Sequence, residues 1–76
     1  MTDEEIVAII RELPIGCVLG RELWPGDPGR PREVYWKVHI SYRIVPQGLL
    51  IVEGTLEDVL ERTKETLEEH GIWPTR

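Results

Sequence analysis

The side chains best suited to chemistry lie in an alternating run in the middle of the chain. Every second position there is polar or aromatic: Tyr35, Lys37, His39, Ser41 and Arg43. Residues two apart in a β-strand point to the same side, so this run predicts one row of donors and rings. Tyr and Arg are enriched at protein interfaces. The row therefore indicates a binding surface rather than a site of bond cleavage.

No catalytic or metal-binding constellation stands beside that row. Zinc needs three or four ligands at suitable spacing, and Cys17, His39 and His70 fall on separate predicted elements. No glycine-rich phosphate-binding motif and no nucleophile elbow occurs in the sequence. We therefore expect a protein that is not an enzyme and that has no metal and no cofactor.

Length and composition indicate one small globular domain over residues 1–76. The chain is 41% hydrophobic and 30% charged, which is too apolar for a disordered segment. It has no apolar run of the roughly 18 residues that a membrane span needs, and its acidic start is unlike a secretion signal. The single cysteine, Cys17, cannot close an internal disulfide, so we expect a cytoplasmic protein.

Two helices are predicted, one at each end of the chain. Apolar side chains recur at helical spacing over 3–13 and again over 55–70. A threonine suited to the N-cap position begins each of them: Thr2 and Thr55. Pro14 ends the first helix, and Gly71 supplies a left-handed stop for the second.

Three strands are predicted between these helices. The segments are a strand at 15–24, a proline- and glycine-rich loop at 25–32, a strand at 33–45 and a strand at 49–53. Alternation at period two is typical of a half-buried strand, and it continues throughout the middle one. Its inward side chains are expected to be Val34, Trp36, Val38, Ile40, Tyr42 and Ile44.

The last two strands are expected to join through a three-residue hairpin loop, Pro46-Gln47-Gly48. In that register Leu50 and Val52 enter the core, whereas Leu49 and Ile51 lie on the outer face beside the polar row. A two-residue loop would instead put Leu49 and Ile51 in the core and Leu50 and Val52 on the outer face, because a one-residue shift in register exchanges the two faces of a strand.

The order helix, strand, strand, strand, helix predicts an α+β domain. The simplest arrangement is a three-stranded antiparallel sheet with two helices packed on one face, which leaves the other face open. The net charge of −5 divides unevenly: −3 over residues 1–20, +2 over 21–52 and −4 over 53–76. The helices are therefore acidic, whereas the sheet and its loop are mildly basic.

This order of elements resembles that of double-stranded-RNA-binding domains and of the HicA-type toxins. The resemblance implies RNA contact through a basic second helix or a histidine on the sheet. Here the last helix is acidic, and His39 lacks the glycine-serine context of the toxin histidine. The junction Gly54-Thr55-Leu56-Glu57 is also similar to the strand-to-helix junction of HicB-type antitoxins.

We expect an interaction module or regulator that binds a protein partner, or a second copy, through the open sheet face. The expected contacts are Tyr35, Lys37, His39, Ser41, Arg43, Leu49 and Ile51, with Arg30 and Arg32 in the loop steering an acidic partner. Two alternatives stay open. One is nucleic-acid binding through the same face. The other is an acidic decoy that uses the ridge of Glu57, Glu61, Glu65 and Glu69.

Overall fold

Capping threonines begin both helices of the computed structural model, which describes residues 1–73. Helix α1 spans Asp3–Glu12, and the Thr2 hydroxyl accepts the backbone N–H of Glu5 at 3.2 Å. Helix α2 spans Leu56–Glu69, and the Thr55 hydroxyl accepts the backbone N–H of Asp58 at 3.1 Å. Each bond satisfies an N–H that has no partner within its helix. Both predicted helices are confirmed, and residues 74–76 of the predicted domain lie outside the described part.

The C-terminal end of α2 is a Schellman motif. Gly71 has a φ of 71°, in the left-handed region that favours glycine. The backbone N–H of Ile72 donates to the Leu67 carbonyl at 2.8 Å, and that of Gly71 donates to the Glu68 carbonyl at 3.0 Å. These two bonds satisfy carbonyls that the helix leaves unpaired. The glycine stop predicted for this helix is confirmed.

The three strands form one antiparallel sheet in the order β1-β2-β3, with β2 in the centre. Their bounds are Cys17–Trp24 for β1, Glu33–Ile40 for β2 and Leu49–Glu53 for β3. Strand β1 pairs with β2 over its whole length, whereas the shorter β3 pairs with β2 from Ile40 to Trp36 only. The expected α+β fold and order of elements are confirmed.

Strand β2 ends five residues earlier than its alternation predicts. The Ser41 carbonyl accepts the backbone N–H groups of both Ile44 and Val45, so the chain turns helically after Ile40. Tyr42 is 69% exposed instead of facing the core, while Val45 is buried. The prediction of a strand at 33–45 is wrong in its last part, because local hydrogen bonding to Ser41 replaces the sheet ladder there.

The early end of β2 changes the register of β3. Ile40 pairs with Leu49 and Val38 pairs with Ile51, so both β3 residues share the inner face of the sheet. Ile51 is 4% exposed and belongs to the core, whereas Leu50 is 59% exposed on the other face. The predicted assignment of β3 side chains to the two faces is therefore wrong. The connection is an eight-residue segment, 41–48, rather than a three-residue hairpin loop.

The core lies between the inner face of the sheet and α2, which crosses β2 and β3. Seven apolar residues are buried in it: Val38, Ile40, Val45, Ile51, Val59, Leu60 and Leu67. Helix α1 lies against α2 and adds Ile6, Ile9 and Leu13 at the margin of the core. Neither helix approaches β1 closely. Within residues 1–73, no helix has both the length and the apolar character needed to cross a bilayer.

The register predicts unequal losses of stability for two neighbouring substitutions. Ile51→Ala removes a buried side chain and should lower the free energy of unfolding by about 2–4 kcal/mol. Leu50→Ala, on the exposed face, should lower it by less than about 1 kcal/mol. Chemical denaturation followed by circular dichroism measures both values. A larger loss for Leu50→Ala than for Ile51→Ala would contradict the register.

Candidate protein-interaction surface

The sheet face opposite the helices, here called the outer face, has no described element packed on it. Pairing and alternation place ten residues there: Val18, Gly20, Glu22, Trp24, Glu33, Tyr35, Lys37, His39, Leu50 and Val52. Tyr35, Lys37 and His39 are the three residues of the predicted row that the strand does carry. They lie on the central strand, so every group on the outer face is within one strand of them.

Exposed aliphatic side chains occupy one end of the outer face. Val18, His39 and Leu50 are directly opposite one another on the three strands. All three are exposed, with Val18 at 62% and Leu50 at 59%. Val52, also exposed, is two residues further along β3 and opposite Lys37. The exposed aliphatic side chains thus lie on β1 and on β3, on either side of His39. Exposed apolar surface of this kind is typical of interaction sites.

A hydrogen-bonded network occupies the middle of the outer face. The Glu22 carboxylate accepts from the Lys37 ammonium through Oε1 and from the Tyr35 hydroxyl through Oε2. The bond from Lys37, followed by that from Tyr35, lowers the pKa of the Glu22 carboxyl. The same carboxylate raises the pKa of the Tyr35 hydroxyl and of the Lys37 ammonium. The Lys37 charge is thus compensated, and the Tyr35 hydroxyl is hydrogen-bonded, within the sheet.

Four of the seven residues predicted to lie on the open sheet face do not lie there. Leu49 and Ile51 are on the inner face, for the reason of register given above. Ser41 and Arg43 follow the end of β2, where the Ser41 hydroxyl accepts the backbone N–H of Arg43 at 3.2 Å. The Arg43 guanidinium lies 6.0 Å from the ring centre of Tyr42. The predicted row of five therefore ends at His39.

The two loop arginines differ in their surroundings. The Arg30 guanidinium lies 5.0 Å from the ring centre of Trp24 and pairs with the Glu33 carboxylate. Arg30 thus borders the outer face with its charge already compensated. Arg32 is exposed and lines a separate hollow of about 310 Å³ with Leu23 and Val34. The structure therefore does not bring the two arginines together at one place.

A groove of about 450 Å³ opens where β3 stops short of the end of β2. Trp24, Arg30, Tyr35 and Val52 are among its lining residues. The indole Nε1 of Trp24 is buried and has no hydrogen-bond partner in the described part of the chain. The groove extends the outer face beyond the aliphatic patch.

Residues 1–73 contain no group of three or more His, Cys, Asp or Glu side chains that could hold a metal ion. Cys17 is a free, half-buried thiol on the inner face of β1. Burial raises its pKa, which disfavours the nucleophilic thiolate form. His39 points to the outer face, and Cys17 points to the inner face. The two residues therefore do not form a nucleophile and base pair.

The sequence pattern alone does not place Val18, Glu22 and Trp24 on the outer face, because their positions depend on how β1 pairs with β2. A signal for that pairing exists in the loop. Asp27-Pro28-Gly29-Arg30 is a tight turn, with mutual backbone bonds between Asp27 and Arg30 at 2.8 and 3.1 Å. Proline at the second position of a turn is a recognised preference. Centring the hairpin on that turn places Glu22 opposite Tyr35, as observed.

Glu22→Gln should make the protein less stable at neutral pH and remove part of its acid sensitivity. The folded state lowers the pKa of Glu22, so its charge stabilises the fold above the ordinary glutamate pKa of about 4.3. This contribution is lost as the pH falls through the folded value. The two thermal unfolding midpoints should therefore converge in acid. Glu61→Gln, on the exposed surface of α2, is the matched control, and an equal effect of both substitutions would contradict a role for the network.

No protein-family model matches the chain, and no curated protein or solved structure is significantly similar to it. The resemblance to RNA-binding and toxin folds therefore rests on the order of elements alone. The case for a function depends on the geometry of the outer face.

Proposed function

We propose that this protein is a small interaction module that binds a partner protein through the outer face of its sheet. The observation that carries the proposal is the aliphatic patch formed by Val18 on β1 and by Leu50 and Val52 on β3, exposed on either side of His39 on a face that no described element covers. Burying a Val or Leu side chain contributes about 1.5–3 kcal/mol when the burial is complete. A partner that covers the patch therefore gains a substantial part of its binding energy there.

The Glu22 network favours a protein over a nucleic acid as the partner. Binding to phosphates relies on free cations. On the outer face the Lys37 ammonium is bonded to a carboxylate, and at its border the Arg30 guanidinium pairs with Glu33. A phosphate at Lys37 would meet the negative charge of Glu22. An apolar protein surface meets no such repulsion, because the network is already satisfied.

The dimensions of the face limit what can bind to it. Strands about 4.8 Å apart, with up to eight residues each, give a face roughly 10–15 Å wide and 25 Å long. A helix with its side chains is about 10–12 Å across. One amphipathic helix, lying across the strands at the end that carries Val18 and Leu50, fits this space. The single half-buried thiol, Cys17, suits a protein that works in the reducing cytoplasm.

The acidic ridge on α2 remains an alternative that no observation favours. Its four glutamates, Glu57, Glu61, Glu65 and Glu69, are all exposed. Glu57 lies 3.7 Å from the N-terminal ammonium. Exposed glutamates on a helix are typical of a solvated surface.

Leu50→Glu should abolish binding of the partner without unfolding the protein. The substitution puts a charge in the middle of the aliphatic patch, where a bound partner would have to desolvate it. Affinity capture with tagged wild-type protein from an extract of its host, followed by titration of the purified partner, measures the effect. We expect an affinity at least about tenfold lower.

Val7→Glu is the matched control, because Val7 is a similarly exposed aliphatic residue on α1, away from the sheet. It should leave the titration unchanged, whereas Val18→Glu should repeat the loss seen with Leu50→Glu. Circular dichroism checks that all three variants fold. If Leu50→Glu and Val18→Glu bind the partner as tightly as wild type does, the outer face is not the binding surface.

A further inference from the structure

The free edge of β1 carries backbone groups that no described element pairs with. The Ser41 N–H donates to the Gly16 carbonyl at 3.0 Å, so the ladder with β2 begins on a hydrogen-bonded pair. Hydrogen-bonded pairs alternate along an antiparallel ladder. The even-numbered residues of β1 therefore bond to β2. The odd-numbered residues Leu19, Arg21 and Leu23 direct their N–H and C=O groups away from the sheet.

The charged side chains of β1 are turned away from that edge. The Arg21 guanidinium lies 5.7 Å from the ring centre of Trp36 on β2. The Glu22 carboxylate is held over β2 by Tyr35 and Lys37. Edge strands of monomeric proteins are normally protected by free charges, prolines, bulges or a covering element. β1 contains no proline, its register with β2 has no bulge, and neither helix approaches it.

Apolar side chains are exposed along the same edge. Leu23 is 49% exposed on the inner face, beyond the reach of the helices. Val18 is exposed on the outer face, and Ile15, just before the strand, is fully exposed. The edge of β1 thus combines unpaired backbone groups with uncovered aliphatic side chains on both faces.

We propose that the free edge of β1 pairs with β1 of a second copy, antiparallel and about a two-fold axis at Gly20. This places Leu19 opposite the partner's Arg21, and Leu23 opposite the partner's Cys17. The Cys17 N–H already donates to the Pro14 carbonyl. The remaining outward donors, those of Leu19, Arg21 and Leu23, all find carbonyl acceptors, which gives six bonds between the two copies.

Charge selects this register over its neighbour. Pairing about Arg21 would also form six bonds, but it would put two guanidinium groups directly opposite each other, which is destabilising. Pairing about Gly20 puts Arg21 beside the aliphatic Leu19 instead. The register that separates the like charges also places the exposed Leu23 beside the partner's Cys17.

The acidic helices do not oppose this pairing. Helix α2 lies across β2 and β3, and α1 lies against α2. Two adjacent β1 strands therefore separate the helices of one copy from those of the other. The result is a six-stranded sheet with all four helices on one side and the two outer faces joined on the other. This pairing uses the edge of the sheet and not its outer face, so it does not depend on partner binding at the outer face.

A disulfide across the two-fold axis tests the register. Gly20 faces the partner's Gly20 as a non-hydrogen-bonded pair, with Cα atoms about 4.5 Å apart, which suits a disulfide. A Cβ at Gly20 meets only the Lys37 side chain, at 3.6 Å, so a cysteine fits. Gly20→Cys in a Cys17→Ser background should form a disulfide-linked dimer at least about tenfold faster than Val7→Cys in the same background. Equal rates would overturn the proposal.

Methylation of the Arg21 backbone nitrogen tests the edge itself. The variant is accessible by chemical synthesis with ligation at the Gly16–Cys17 junction, and the methyl group points to solvent in the monomer. We expect light scattering to show that wild type dimerises and that the methylated protein does so at least about 30-fold more weakly, since two symmetric bonds are lost. A wild type that stays monomeric at millimolar concentration, or a dimer unaffected by methylation, would overturn the proposal. A dimer unaffected by methylation would instead form by stacking of the two outer faces. Leu50→Glu distinguishes these two modes of dimerisation, because it should weaken only the stacked dimer.

Discussion

The helical turn that ends β2 at Ile40 determines which side chains the sheet displays. The Ser41 carbonyl accepts two backbone N–H groups from the turn, and the Val45 carbonyl accepts that of Gly48 at 2.9 Å. The second bond closes a turn with Pro46 in its second position and with Gln47 at a φ of 69°. The chain therefore re-enters the sheet with Leu49 opposite Ile40. Every outward and inward assignment on β3 follows from that one pair.

The helices were predictable because their ends depend on residues within a few positions of each other. Thr55 bonds to the backbone three residues ahead, and Gly71 adopts the left-handed conformation that closes the Schellman motif. The end of β2 depends instead on a competition between the sheet ladder and local hydrogen bonds at Ser41. The alternation continues through Tyr42 and Ile44, but the Ser41 hydroxyl accepts the backbone N–H of Arg43, a local bond that competes with the sheet ladder. Val45 enters the core from the turn, so the period-two pattern alone could not place it.

The outer face was predictable only where a single strand supplies it. Tyr35 and Lys37 share a face with His39 because alternation within β2 requires it. Glu22, which bonds two of these residues, comes from a different strand, and only the β1–β2 register reveals it. The turn at Asp27-Pro28-Gly29-Arg30 encodes that register. Leu50 and Leu49 could not be assigned to faces from composition, because both are large aliphatic residues and only the turn before β3 separates them.

Internal pairing of charge links the face and the edge of this sheet. Glu22 holds Lys37 and Tyr35 over the outer face, which leaves the neighbouring aliphatic side chains as the groups free to contact a partner. The same bonds hold Glu22 over β2, and the Trp36 ring similarly holds Arg21. Charged side chains that are paired within the sheet do not prevent its edge strand from pairing with another strand. The Glu22 bonds on the outer face and the Arg21–Trp36 contact on the inner face therefore hold both charges of β1 over β2 rather than over its free edge.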